Sequence, residues 1–242
     1  MRRRVVLGQR LQQIADIVQT IPNCKRVIDV GVDHGMLLVY LRSRGFACVG
    51  GDKLPSPLAQ AKRNCSKYGI ADIPLYVSNG VENIPLQPHD CLCISGMGAK
   101  TMVEILSSQR ETIHKNISNI ILQPNVETWR VRRYLQQQGY ILRNEYMLFE
   151  KSQYYPILHW IQPSMVSTIP TDPQFLQNKH LYIGYHVQRN SREVWLTWLA
   201  EEKKRIEKIL AQTSGAQHDK VNGIENIGTH QDIFQWVIEA IG

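Results

Sequence analysis

The segment that most constrains this chain is Arg26-Val-Ile-Asp-Val-Gly-Val-Asp-His-Gly-Met-Leu-Leu-Val-Tyr-Leu41. A β-branched apolar run ends at Asp29 and Gly31. A turn follows, and Leu37, Leu38 and Leu41 then fall on one side of a helix-like segment. Strand, glycine turn and helix in this order set backbone N–H groups and a helix N-terminus against a ligand carboxylate or phosphate. The turn reads Gly-x-Asp-x-Gly, not Gly-x-Gly-x-x-Gly. No pyrophosphate then requires close backbone approach, and a side chain is kept in the middle of the turn. That pattern favours S-adenosyl-L-methionine over a dinucleotide.

The same alternation continues along the chain. Strands are predicted at 26–30, 47–51, 75–77, 91–95 and 117–122, with helices over 36–44, 57–68, from 99 to about 108, and over 128–138. Ser56 is a possible N-cap and Pro57 suits a first helical turn. Residues 140–149 and 154–161 read as two strands with no helix between them, so they pair antiparallel. Five crossover units and a hairpin describe an α/β, Rossmann-like, seven-stranded, mostly parallel sheet. Residues 1–162 form this domain, and 163–242 form a linker, marked by Pro163, Pro170 and Pro173, and a helical appendage. In the appendage, Trp195, Leu199, Ile206 and Ile209 repeat at helical spacing with Glu202 in one gap. After a break at Gly215 to Gly223, Ile227, Phe234, Ile238 and Ile241 repeat it with Gln231 in the gap. Two amphipathic helices of similar length read as an antiparallel, coiled-coil-like hairpin.

Composition narrows the class. With 242 residues, 43% hydrophobic and 20% charged, the chain reads as a soluble globular protein with no membrane partner. Val5-Val-Leu7 stops at Gly8-Gln-Arg10, too short for a signal-peptide core. The cysteines number five and include no Cys-x-x-Cys pair or zinc-ligand spacing, so no metal is expected. Cys91 and Cys93 share a strand face and suit core packing, and the set fits a cytoplasmic setting. The net charge of +7 suggests a polyanionic partner. The excess concentrates at Arg2, Arg3, Arg4 and Arg10, and at Arg130, Arg132, Arg133 and Arg143.

A doubly wound sheet binds its ligand beyond the carboxyl ends of its strands. Strand one ends in Gly31-Val-Asp33-His34-Gly35. Strand two ends in Asp52, next to Lys53; a carboxylate there accepts both hydroxyls of a ribose, or else caps a turn. Strand three ends in Ser78-Asn79-Gly80, where Asn79 suits an adenine amino group and Asn-Gly is equally an ordinary turn pair. Strand four ends in Ser95-Gly96-Met97-Gly98, where small residues allow close approach. Strand five ends in Gln123-Pro124-Asn125, whose amides suit the Watson–Crick edge of a base or cap a turn. Asp29, Gly31, Asp33, Gly35, Asp52, Lys53, Asn79, Gly80, Ser95, Gly96 and Met97 are therefore the candidate cofactor residues.

Asp29-Val-Gly-Val-Asp-His34, Ser95-Gly-Met-Gly98 and Ile121-Leu-Gln-Pro-Asn125 stand in the order and spacing of the bacterial tRNA adenine-22 N1-methyltransferases, the TrmK type, and the chain resembles that family. Gln9-Arg10-Leu11, Arg132-Arg-Tyr-Leu135 and Tyr154-Tyr155 add to the likeness. It departs from the family at Asn79, where an acidic residue is usual, and at Ala99-Lys100 and Pro156. The resemblance implies a class I S-adenosylmethionine-dependent methyltransferase sheet with a helical extension. It also implies tRNA as the partner and N1 of an adenine in the D-arm region as the target.

Methylation of N1 makes the adenine ring cationic. A carboxylate near N6 stabilises that charge and accepts the N6 proton. Asp33, in the turn, is the candidate for this role, with a helix N-cap as the alternative; Asn125 is its catalytic companion at the base edge. His34, Gln123, Pro124 and Tyr155 are candidate substrate contacts. Arg10, Arg132 and Arg133 are the candidate tRNA grips. Two other readings use the same fold: a methyltransferase for another RNA or a small molecule, and a degenerate, non-catalytic RNA-binding protein. No oligomer is indicated, and a monomer is the simpler expectation.

Overall fold

The computed structural model describes residues 5–70, 72–165, 177–212 and 227–242. One sheet holds all seven strands: β1 Arg26–Val30, β2 Ala47–Asp52, β3 Leu75–Val77, β4 Asp90–Met97, β5 Ile117–Pro124, β6 Ile141–Glu150 and β7 Gln153–Ile161. Their order is β3-β2-β1-β4-β5-β7-β6. Pairing is parallel from β3 to β5, and β7 runs antiparallel to both β5 and β6. The β6–β7 turn is made by Lys151 and Ser152, with φ of 51° and 60°. Two successive positive φ angles match the right-handed twist of the hairpin strands.

Alternation along the strands divides the core into two layers. Val27, Cys48, Cys91, Cys93 and Ile121 face α1 (Gln9–Thr20), α2 (Met36–Ser43) and α3 (Pro55–Lys67). Ile28, Val30, Leu92, Ile94, Ile120, Leu122 and Trp160 face α4 (Ala99–Ser108), α5 (Arg110–Asn116) and α6 (Thr128–Gln137). Cys91 and Cys93 thus pack in the core, as their spacing indicates. Helix α1 is absent from the sequence reading, although Ile14, Ala15, Ile17 and Val18 are its buried stripe. The third helix begins at Pro55, and its N-cap is Leu54 without a side-chain cap, which displaces Ser56 from that role.

The appendage is helical earlier than its pattern suggests: α7 (Asn178–Ile183) and α8 (Val187–Asn190) precede α9 (Arg192–Gln212) and α10 (His230–Ile241). The last two pack together as the expected hairpin, but they are unequal, at 21 and 12 residues. Trp195, Leu199 and Ile206 are buried on α9 as expected. On α10 the buried face is Ile233 and Val237, while Ile238 and Ile241 are exposed. That register is a correction: α10 carries apolar residues on two sides, and the capping box of Thr229 and Asp232 helps fix which side packs. Arg2, Arg3, Arg4, Pro170, Pro173 and the segment Gly215 to Gly223 lie outside the described residues.

Met147 of β6 joins Ile183, Val187, Trp195, Leu199, Ile233 and Val237 in one apolar cluster, so the appendage is packed onto the sheet's edge. A buried ion pair pins it there. Arg132 Nε lies 2.6 Å from Glu145 Oε1, and Arg132 Nη1 donates to the carbonyls of Leu181 (2.6 Å) and Tyr182 (3.1 Å). Glu145 Oε2 accepts from the backbone N–H groups of Tyr185 (2.7 Å) and His186 (3.0 Å). Among the described residues, no helix is long and apolar enough to cross a membrane.

Candidate active site

The β1 turn is tight because Gly31 and Val32 both donate to the carbonyl of Gly51, and Gly35 donates back to Val32. Gly31 has φ of +78°, and a Cβ there would stand 2.2 Å from the Met97 side chain. The left-handed backbone here favours glycine, and a side chain would also displace the end of Met97. Asp33 also has positive φ, 47°, and its side chain is 77% exposed. The α2 N-cap is Gly35, with no side-chain cap, so the alternative of Asp33 as cap falls. His34 lies beside it, Nε2 3.7 Å from the Asp33 carboxylate.

Beneath this turn Asp29 is buried, at 4% exposure. Burial raises its carboxyl to about 7, with the Arg10 guanidinium pulling the other way and Asp52 and Asp33 adding to the rise. Between pH 4 and 7 the native state therefore holds a proton that the unfolded chain has lost, so stability falls as pH rises through that window. Asp29→Asn is expected to flatten this part of the curve. Urea midpoints of both proteins at pH 5 and pH 8 test it: the wild type should lose more on alkalinisation, and parallel curves would mean the carboxyl is ionised throughout.

At the end of β2, Asp52 Oδ1 accepts from the Leu54 N–H at 3.0 Å, and Oδ2 has no partner among the described residues. The turn-capping and ligand-accepting readings thus coexist on two oxygens. Lys53 is exposed beside it. The loop after β3 is closed by Ser78, whose Oγ donates to the Gly80 carbonyl (2.9 Å) and accepts from the Asn83 N–H (3.1 Å). Asn79 is left exposed, its amide donating to Glu82 Oε1 at 3.2 Å. Gly80 is in the left-handed region, and a Cβ there would meet Ile105 at 2.7 Å.

The ends of β4 and β5 are tied to α1 by one buried amide. Gln123, fully buried, accepts at Oε1 from Arg10 Nη1 (2.6 Å) and from the Gly96 N–H (3.1 Å). Its Nε2 donates to the Pro124 carbonyl (3.1 Å) and to Asn125 Oδ1 (3.2 Å). Asn125 in turn donates from Nδ2 to the Gly96 carbonyl (2.8 Å) and from its backbone N–H to the Met97 carbonyl (2.8 Å). Gln123 therefore has its polar atoms engaged inside the protein, and Pro124 is buried. Both are withdrawn as direct substrate contacts: they hold Asn125, which is exposed at the cleft mouth. Ser95 and Met97 are half-buried there, and Gly96 is exposed. Ser78 and the positioning role of Gln123 are what the sequence reading missed. A polar residue at the end of a strand buried along its whole length signals an internal hydrogen-bond hub.

The basic cluster divides. Arg132 is buried against Glu145 and is removed from the RNA-facing set, because its guanidinium is committed to the protein's interior. Arg133 is half-buried, with its guanidinium 5.5 Å from the Trp129 ring centroid. Arg130 covers the same ring at 4.4 Å and pairs with Glu127 at 2.7 Å. Arg10 reaches from α1 over the ring of Tyr155 at 5.5 Å, which brings these two candidates together at the β4–β5 mouth.

Comparison with known proteins gives one family and a consistent set of relatives. Residues 7–158 match a family model described as a methyltransferase domain. The tRNA (adenine(22)-N(1))-methyltransferase of Bacillus subtilis (strain 168) is 30% identical over 155 residues, which span 63% of this chain and 63% of that protein's length. Among solved structures, a putative tRNA (m1A22) methyltransferase of Streptococcus pneumoniae superposes with a TM-score of 0.78 at 21% identity, covering 98% of this chain and 100% of that one. TrmK of M. capricolum, in complex with the cofactor product S-adenosyl-homocysteine, superposes at 0.76 with 23% identity, covering 97% of each chain. At these identities the structural matches establish the fold, including the appendage.

Proposed function

Starting from the methyltransferase-domain family, to which this chain belongs, we propose that it transfers a methyl group from S-adenosyl-L-methionine to N1 of an adenine in tRNA, at position 22 of the D-arm region, in the cytoplasm. The observation that carries this reading is the mouth of the sheet itself. An exposed carboxylate, Asp33, and an exposed amide, Asn125, stand on turns fixed by Gly31 and by the Gln123 hub. The B. subtilis relative, a tRNA (adenine(22)-N(1))-methyltransferase, supports it.

The residues present suit the cofactor. Gly31 and Gly96, both in the left-handed region, leave backbone open beside the ends of the Met97 and Arg10 side chains. Asp52 keeps one carboxylate oxygen free for a ribose, and Asn79 stands at the β3 end for an adenine amino group. Asp29, whose buried carboxyl is raised to about 7, would be drawn into its charged form by an ammonium group placed beside it. When bound, the cofactor supplies an electrophilic methyl group. Adenine N1 brings an in-plane lone pair, so no residue has to deprotonate it first. Asp33 stabilises the ring cation and accepts the N6 proton. Asn125, held by Gln123 and Gly96, orients the base edge, and geometry supplies much of the remaining acceleration. His34 and Tyr155 flank the mouth, and Arg10 and Arg133 remain the candidate grips on the RNA. The division at residue 162, with the appendage orienting tRNA on the domain, belongs to the same proposal.

Incorporation of labelled methyl from the cofactor into total tRNA, followed by mapping of the modified nucleoside, tests the reading; absence of N1-methyladenosine defeats it. Asp52→Ala is expected to weaken cofactor binding by about 1.5–3 kcal/mol through loss of charged hydrogen bonds. Calorimetry on the folded variant reads this directly, and an unchanged affinity would leave Asp52 as a turn cap alone.

A further inference from the structure

A groove of about 440 Å³ opens between the sheet domain and the appendage, and Asn125 is among the residues that line it. Its walls carry four aromatic side chains from four separate elements: Trp129 of α6, Tyr154 of β7, Tyr182 of α7 and Trp198 of α9. The volume falls in the range of small-ligand sites. The charged groups of the walls are committed to one another or to neighbouring residues. Glu202 accepts from Arg205 Nε at 2.8 Å and from the Tyr182 hydroxyl, and Arg205 Nη2 also reaches that hydroxyl at 3.1 Å. Tyr154 donates to Glu201 at 2.9 Å, Glu127 is paired with Arg130, and Arg132 with Glu145.

This chemistry selects a class of occupant. A phosphate or carboxylate requires uncommitted cations, and here the Arg132 and Arg205 guanidiniums are already paired with carboxylates. An aliphatic chain would leave the tyrosine hydroxyls and the Glu202–Arg205 pair facing an apolar surface. A flat, neutral heteroaromatic ring suits these walls, because it offers π faces to the aromatic side chains and in-plane donors and acceptors to Asn125 and Thr128, which also line the groove. Asn125 lines the groove and also stands exposed just after β5, so an occupant of the groove and a base held at Asn125 share that residue.

We propose that this groove seats a second, unstacked nucleobase of the RNA, adjacent to the base presented at Asn125. It rests on the reading of RNA as substrate and adds to it a subsite built jointly by the domain and the appendage. An RNA that delivers one base to a cleft has already locally unstacked, so its neighbour is available at reduced cost. Stacking in the groove would then hold the strand in its opened form. The subsite also gives the appendage a direct contact with the nucleotides beside the reaction.

The test uses the full chain and a tRNA transcript. Abasic nucleotides are placed one at a time through the nucleotides flanking the methylated adenine, and binding is followed by quenching of tryptophan fluorescence. One flanking position is expected to lose about tenfold in affinity and most of the quenching, the size of a lost base–aromatic stack. Trp198→Ala is expected to raise the Kd for tRNA about tenfold with cofactor affinity little changed, whereas Trp198→Phe keeps most of the binding. Combined with the abasic transcript, Trp198→Ala should add nothing further. The inference is overturned if no flanking abasic position weakens binding, or if the two losses add in full, as they would for a groove holding a protein segment instead. Should Trp198→Ala not fold, the abasic scan with wild type and Trp198→Phe decides alone. Methyl transfer is not part of the binding readout, so failure of the methylation reading and failure of the subsite are distinguished.

Discussion

Glu145→Ala is expected to destabilise the protein by about 3–5 kcal/mol, the loss typical of breaking a buried ion pair from one side. The two side chains are 3% and 1% exposed, so water cannot replace the missing partner. Alanine would leave the Arg132 guanidinium buried with an uncompensated charge. It would also strand the N–H groups of Tyr185 and His186, which donate to the same carboxylate. Urea denaturation measures the loss. The double replacement Arg132→Met with Glu145→Leu should recover only the part owed to the uncompensated charge, because the Tyr185 and His186 N–H groups and the Leu181 and Tyr182 carbonyls still lack their partners. A loss below about 1 kcal/mol for Glu145→Ala would place the pair among ordinary surface bridges and remove it as the clasp between domain and appendage.

Asp33→Asn is expected to lower the single-turnover rate of methyl transfer about 100-fold, with only a modest change in tRNA affinity. The substitution is informative because the backbone tolerates it. Asp33 sits at φ 47°, a region that asparagine adopts readily, so the turn survives while the charge is lost. The structure also shows that no helix cap depends on this carboxylate. A rate that survived the substitution would leave Asp33 as a turn-former and move the stabilising charge elsewhere in the cleft.

Local chemistry made the sheet and its mouth legible. Short apolar runs give β1 to β5 within a few residues, continuous because these parallel strands are covered on both faces. Glycines at 31, 35, 80 and 96, all with positive φ, mark the turns where the strands end. What local reading misses is where partners lie far along the chain. Arg132 stands between two other arginines and looks like part of one basic face. Two residues along a helix is a rotation of about 200°, however, so it points away from Arg130 and into the protein. Its partner Glu145 is 13 residues on, in a strand, where no helical pairing rule reaches. Gln123 reads as a base-reading amide because of its neighbours Pro124 and Asn125, but it ends a strand with both faces covered, and its contacts come from α1 and β4. Helix α10 fails differently: apolar residues on two of its sides leave the register to tertiary packing.

The clasp at Glu145 has a consequence for synthesis. The groups that neutralise and cap this carboxylate stand 13 residues before it and 40 to 41 residues after it. On the ribosome, the outer hairpin of the sheet therefore leaves the exit tunnel carrying a half-satisfied charge pair that must stay hydrated. It can bury that pair only when residues 181 to 186 emerge. The edge of the sheet is thus completed from the C-terminal side, and a chain released at the end of β7 would present β6 as an open, charged border to whatever chaperone or neighbouring strand it met first.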